Sequence, residues 1–136
     1  MKRYIGVLLC ITVLITCFVA LPSLALTVSP QSMAIETTQA EIHHIGNGIM
    51  SCYSRVTLWQ GYRANLEMTL QKKNSNGTWS DIASWQDYSS TKQIIVMNYN
   101  YQVNTKGKYR VRCVVFAYEG GSYVERIPFI SSELTY

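Results

Sequence analysis

The chain has 136 residues, 48% of them hydrophobic and 15% charged, with 12 basic residues against 8 acidic ones and a formal net charge of +4. That length supports one core and is short for two domains. Lys2 and Arg3 lie ahead of an apolar run, and without them ten bases face eight acids, so charge gives no ground for a nucleic-acid partner.

The first element is that run. Met1-Lys2-Arg3-Tyr4 is positively charged, Ile5 to Leu21 is apolar, Pro22 ends it, and Ser23-Leu24-Ala25 places small residues three and one before a cleavage point. This order predicts a helical signal peptide over 1–25, and with it a secreted or cell-surface protein. Two rival readings are weaker. A retained membrane helix needs roughly 20 apolar residues, and this run is shorter and ends in a helix breaker. Lipidation at Cys17 is disfavoured by Thr16 directly before it and by the apolar residues that follow. Membrane contact is expected only through this leader, during export.

Residues 26–38 are rich in Ser, Thr and Gln with little periodicity and read as a flexible lead-in to a domain over 39–136. From there period-2 alternation dominates and no 3.6 period is sustained. A short strand is expected at Ile42 to Ile45 and, after Gly46-Asn47-Gly48, a second strand at Ile49 to Trp59. In the second, Met50, Cys52, Val56 and Leu58 share a face with Ser54 among them. Arg63 to Lys72 alternates Ala64, Leu66, Met68 and Leu70 with Asn65, Glu67, Thr69 and Gln71, the pattern of a half-buried antiparallel strand.

Asn74-Ser75-Asn76-Gly77 is a hairpin turn, and Thr78 to Trp85 returns. Trp79, Ile82 and Trp85 do not share one parity, so a bulge or a fully buried strand is expected. Asp87 to Ser90 reads as loop. Lys92 to Val103 carries Ile95, Met97, Tyr99, Tyr101 and Val103 in register; Lys108 to Tyr118 carries Tyr109, Val111, Cys113 and Val115; Ser122 to Phe129 is the last strand.

About seven strands with Gly/Asn turns and no helix predict an all-β, antiparallel two-sheet sandwich. Cys10 and Cys17 belong to the leader, leaving Cys52 and Cys113 on inward faces of the second and sixth strands. An immunoglobulin-like sandwich pins its sheets together at such positions. Two cysteines in an exported chain predict one disulfide, which would stabilise the fold by roughly 4 kcal/mol on the chain-entropy model.

The segments "ANLEMTLQKKNSNGTWSDIASW", "NTKGKYRVRCVVFAYEGG" and "SSELTY" resemble small secreted Ig-like β-sandwich domains of uncharacterised Gram-positive bacterial proteins of the Clostridia/Firmicutes type. The resemblance spans Arg63 to Tyr136. It implies an Ig-like sandwich, export and a bacterial host, and it brings no functional residues with it. The chain departs from an antibody domain in two places. Leu66 lies where a core Trp is expected, and Tyr109 stands four residues before Cys113 where a tyrosine corner has two.

Chemistry-bearing residues are sparse. His43 and His44 are strand neighbours pointing to opposite faces, so no metal site is expected. The acids are scattered singly, which argues against the paired carboxylates of glycoside hydrolysis, and no serine stands in a GxSxG setting. Asn76-Gly77-Thr78 fits a glycosylation sequon but reads as the hairpin turn. No enzyme activity and no cofactor are expected. The aromatics are the suggestive feature: Trp59, Tyr99 and Tyr101 are the candidate ligand contacts, for stacking on sugar rings or anchoring a protein interface. The leading expectation is a non-enzymatic binding or structural module for an extracellular protein or cell-wall glycan. The alternative is a bacteriocin-like effector or its protective partner.

Overall fold

A computed structural model describes residues 32–89 and 93–136; the expected leader lies outside the described residues. Eight strands follow in chain order: β1 (Ile35–His44), β2 (Ile49–Leu58), β3 (Tyr62–Lys73), β4 (Trp79–Ser89), β5 (Ile94–Gln102), β6 (Lys108–Glu119), β7 (Ser122–Ile130) and β8 (Leu134–Thr135). A smaller sheet has the order β1-β2-β5. A larger one has the order β4-β3-β6-β7, with β8 continuing beside β6. Every pairing is antiparallel, and no helix occurs among the described residues.

The sheets face each other through residues of one parity. Met50, Cys52, Ser54, Val56 and Leu58 of β2 are buried. So are Ala64, Leu66, Met68 and Leu70 of β3, and Tyr109, Val111, Cys113, Val115 and Ala117 of β6. Ile95 and Met97 of β5 complete that side of the core. Burying a Leu or Met side chain contributes about 1.5–3 kcal/mol, so these rows supply most of the force that brings the sheets together.

β1 begins earlier than its sequence suggests. The lead-in expected to run to Thr38 is already strand from Ile35 and pairs with β2 as far back as Leu58. Only Ile35 and Ile42 of β1 are buried, which is why alternation failed to reveal it. Its start is held from the other sheet: Glu125 of β7 accepts hydrogen bonds from Ser32 Oγ and from the Ala34 amide at 2.7 Å.

The parity break in β4 is a bulge. Leu70 pairs with Ala83 and Gln71 with Asp81, leaving Ile82 as the extra residue. Ile82 and Trp85 can then both pack against the core. β4 also continues through Asp87 and Tyr88, where the sequence predicts a loop.

β8 is the strand the sequence did not announce, because two residues are too few to show a period. It is fixed from outside: Tyr136 and Gly107 exchange backbone hydrogen bonds at 2.9 Å, and Ser131 and Val111 are joined through Ser131 N–H and Oγ. The Tyr136 ring rests on His44, centroids 4.5 Å apart. Gly48 is required here. Its φ is +73°, and a Cβ would stand 2.6 Å from the Val103 carbonyl.

Tyr109 keeps the inward parity it shares with Val111 and Cys113: it is fully buried at the start of β6, and its hydroxyl donates to the Thr105 carbonyl in the β5–β6 connection.

Position along β3 should decide the cost of a truncation. Leu66→Ala, at the centre of the core, is expected to lower unfolding stability in urea by about 2–5 kcal/mol. Thr69→Ala, on the outer face of the same strand, should cost no more than about 0.5 kcal/mol.

Candidate functional site: the outer face of the larger sheet

The side chains of the larger sheet that point away from the core form cross-strand rows. Tyr88, Asn65, Phe116 and Arg126 lie in one continuous line across β4, β3, β6 and β7. Beyond it, Arg63 pairs with Tyr118, and Tyr118 with Tyr123. Tyr123 is 59% and Tyr88 64% exposed. The Tyr118 and Tyr123 rings meet edge-on at 6.1 Å, and the Arg126 guanidinium lies 5.7 Å from the Phe116 centroid. This corner thus presents four aromatic rings interleaved with two arginines and an amide.

The opposite end of the same face is a charged, internally satisfied network. Gln71, buried between strands, donates to Asp81 at 2.6 Å and accepts from Arg110 Nε at 2.8 Å. Arg110 lies 4.0 Å over the Trp79 ring, and Lys73 covers the same ring at 5.3 Å. Glu133 bridges Lys73 at 3.3 Å and Lys108 at 3.6 Å, and the Lys73 hydrogen bond, with help from Lys108, holds its carboxyl below the usual range. Each polar group here already has a partner within the fold, which makes this end a brace rather than a vacant surface.

The three aromatics singled out from the sequence do not form one site. Tyr99 stacks on Trp85 of the facing sheet at 5.2 Å and 7°, and Tyr101 meets the same indole edge-on at 6.3 Å. They close the open side between β4 and β5. Trp59 stands apart at the β2–β3 turn, 46% exposed, its amide donating to the Ala34 carbonyl. The rings that do share an exposed surface, Tyr88, Phe116, Tyr118 and Tyr123, were missed. The sequence reads Tyr88 as loop, and the signal for the others is the outward parity of Phe116 and Tyr118 relative to Cys113.

The histidines are engaged structurally. His44 Nε2 accepts the Gly48 amide at 3.2 Å, while His43 meets Glu41 at 3.1 Å and helps lower the Glu41 pKa. No cluster of metal-ligating side chains occurs among the described residues.

Cys52 and Cys113 are both buried and stand as free thiols, so the expected disulfide is not formed in this structure. The apolar core around them sustains the protonated thiol: burial pushes Cys52 up to about 12, with Cys113 contributing, and Cys113 up to about 11. The Ser54 hydroxyl beside Cys113 pulls slightly the other way, yet Ser54 Oγ has no well-formed hydrogen bond.

In the reduced protein this burial gives stability a sign with pH. Unfolded thiols ionise from the ordinary value of 9.0, ahead of the folded ones. The thiols' contribution to stability should therefore be present in full below the unfolded value of 9.0 and fall as pH rises toward the folded values. Urea unfolding at about pH 8 and about pH 10 checks this: a Cys52→Ala/Cys113→Ala double variant should lose less stability over that interval than the reduced parent.

Comparison with protein-family models, with curated proteins and with solved structures finds no match to this chain.

Proposed function

We propose that this chain is a secreted or cell-surface, non-catalytic binding module built on an immunoglobulin-like sandwich, and that it engages an extracellular protein or cell-wall glycan through the Tyr88–Asn65–Phe116–Arg126 corner. The observation that carries the reading is the exposure of that corner. Aromatic side chains on a stable domain ordinarily fill the core, whereas here four rings and two arginines sit on the solvent side of a sheet. Tyr and Arg are the residues that dominate protein interfaces, and aromatic faces also stack on sugar rings.

Two features support the immunoglobulin-like part. The buried Tyr109 hydroxyl bonds back to the Thr105 carbonyl in the connection between the smaller and larger sheets, and the order β1-β2-β5 matches three strands of the four-stranded sheet in an antibody constant domain. The fourth strand differs, because β4 pairs with β3 instead of β5. The non-catalytic part is supported by what occupies the reactive groups: the thiols are enclosed in the core, and both histidines serve local structure.

Under the same reading, export carries the chain into an oxidising compartment. There Cys52 and Cys113 join, each sulfur losing its hydrogen as two electrons pass to a thiol oxidant of that compartment. Alkylation under denaturing, non-reducing conditions tests this part: modification of both cysteines in the exported protein rules the bridge out.

For the binding surface, the purified protein is passed over wall polysaccharide and over surface proteins of its host. A Tyr88→Ala/Tyr123→Ala variant is expected to weaken retention at least about tenfold, while Thr37→Ala on the other sheet leaves it unchanged. Absence of retention on both materials would count decisively against a binding role.

A further inference from the structure

Among the described residues the long edge strands are β1 and β5 on the smaller sheet and β4 and β7 on the larger, where the two-residue β8 lies on the same side of β6 as β7. An exposed edge offers a row of unpaired amides and carbonyls to any other strand, and folded proteins ordinarily blunt it with charge, proline or a bulge. Three edges are blunted. β1 carries Glu36 and Glu41 and an irregularity between Ile35 and Thr37. β4 carries Asp81 and Asp87 and the bulge at Ile82. β7 carries Glu125, Arg126 and Pro128 and a register shift opposite Ala117 and Tyr118.

β5 has none of these devices. Its nine residues, Ile94 to Gln102, include no charge, no proline and no glycine, and its register with β2 runs unbroken from Thr57↔Ile94 to Ile49↔Gln102. The hydrogen bonds flanking it define which backbone groups are free. Leu58 N–H donates to the Gln93 carbonyl and Val103 N–H to the Gly48 carbonyl, so the odd-numbered residues of β5 bond to β2. The even-numbered ones, Ile94, Val96, Asn98, Asn100 and Gln102, turn their amides and carbonyls outward, where no strand among the described residues meets them. Beside this row Ile94 and Val96 are 41% and 50% exposed.

We propose that β5 is a self-association edge: two copies of this chain pair their β5 strands antiparallel about a two-fold axis at Asn98, joining the two smaller sheets into one continuous sheet. The composition of the strand favours a second copy as the occupant. A two-fold axis brings each group near its own image, which penalises a charged strand and leaves a neutral one unopposed. The centre of the strand carries amides, and an amide both donates and accepts, so Asn98 complements itself. Centring on Asn98 also uses the whole strand. Ile94 comes opposite Gln102 of the second copy and Val96 opposite Asn100 of the second copy, and every outward amide and carbonyl gains a partner. On the inner side the 39% exposed Tyr99 comes opposite Met97 of the second copy.

Sedimentation over a concentration series, on the protein as its cell delivers it, reads the proposal. The parent should pass from monomer to dimer with rising concentration. Val96→Lys, an exposed change that leaves the core intact, should raise the dimer dissociation constant at least about tenfold, while Gln39→Lys on the opposite edge should not. Register is read by cross-linking. Cα atoms of a hydrogen-bonded antiparallel pair lie about 5.5 Å apart, within disulfide range. Asn98→Cys should therefore oxidise to a covalent dimer, and Asn100→Cys, which faces Val96 of the second copy, should not. A parent that stays monomeric to the solubility limit, a Val96→Lys variant that dimerises as well as the parent, or an Asn98→Cys variant that fails to cross-link would each overturn it.

Discussion

The alternation of β2, β3 and β6 is the constraint from which the rest of this structure follows. Each of these strands has a neighbour on both sides within its sheet and turns an apolar row inward, so their side chains are enclosed by the facing sheet as well as by adjacent strands. A one-residue slip in any of them would carry Leu66 and Met68, or Cys52 and Val56, out to solvent and bring Glu67 or Arg55 in. Register is thereby specified at the centre of the molecule, and the peripheral strands inherit it. β1 takes its alignment from β2, β4 from β3, and β7 and β8 from β6.

The peripheral strands then differ according to how each is held and what each leaves open. β1 buries little of its own and is anchored by Glu125 from the other sheet. β4 accommodates Ile82 as a bulge, which keeps both Ile82 and Trp85 against the core. β5 is unbroken in register and uncharged, and its Tyr99 and Tyr101 are engaged with Trp85. The same rings that looked available for a ligand are therefore part of how the open side of the sandwich closes. The exposed aromatic corner lies elsewhere, on the outward parity of β6 and its neighbours.

A division of labour runs across the outer face of the larger sheet. At one end Asp81, Gln71, Arg110, Trp79, Lys73, Lys108 and Glu133 satisfy one another. At the other, Tyr88 on β4 and Tyr123 on β7 are exposed, with Arg126 over the Phe116 ring between them. Rings that reach solvent retain surface to offer a partner, whereas a network whose polar atoms are already matched has little to gain by exchanging them. This contrast is what separates the candidate surface from the rest of the sheet.

Local patterning alone determined the β class, the central strands and their inward faces, the Asn76-Gly77 hairpin and the parity break that became the bulge at Ile82. These are properties of neighbours along the chain: period-2 burial, positive φ at glycine and a mismatch in parity all act within a few residues. Tertiary structure decided what depends on partners distant in sequence. Ser32 and Ala34 needed Glu125 to begin β1, Leu134 and Thr135 needed β6 to become a strand, and Tyr109 needed the course of the β5–β6 connection to reach Thr105. Tyr88, Asn65, Phe116 and Arg126 come from four separate strands and are one surface only because pairing aligns them. A strand displays its own alternation, but which strands lie beside it, and which edge is left open, is settled by the free energy of the assembled sheets.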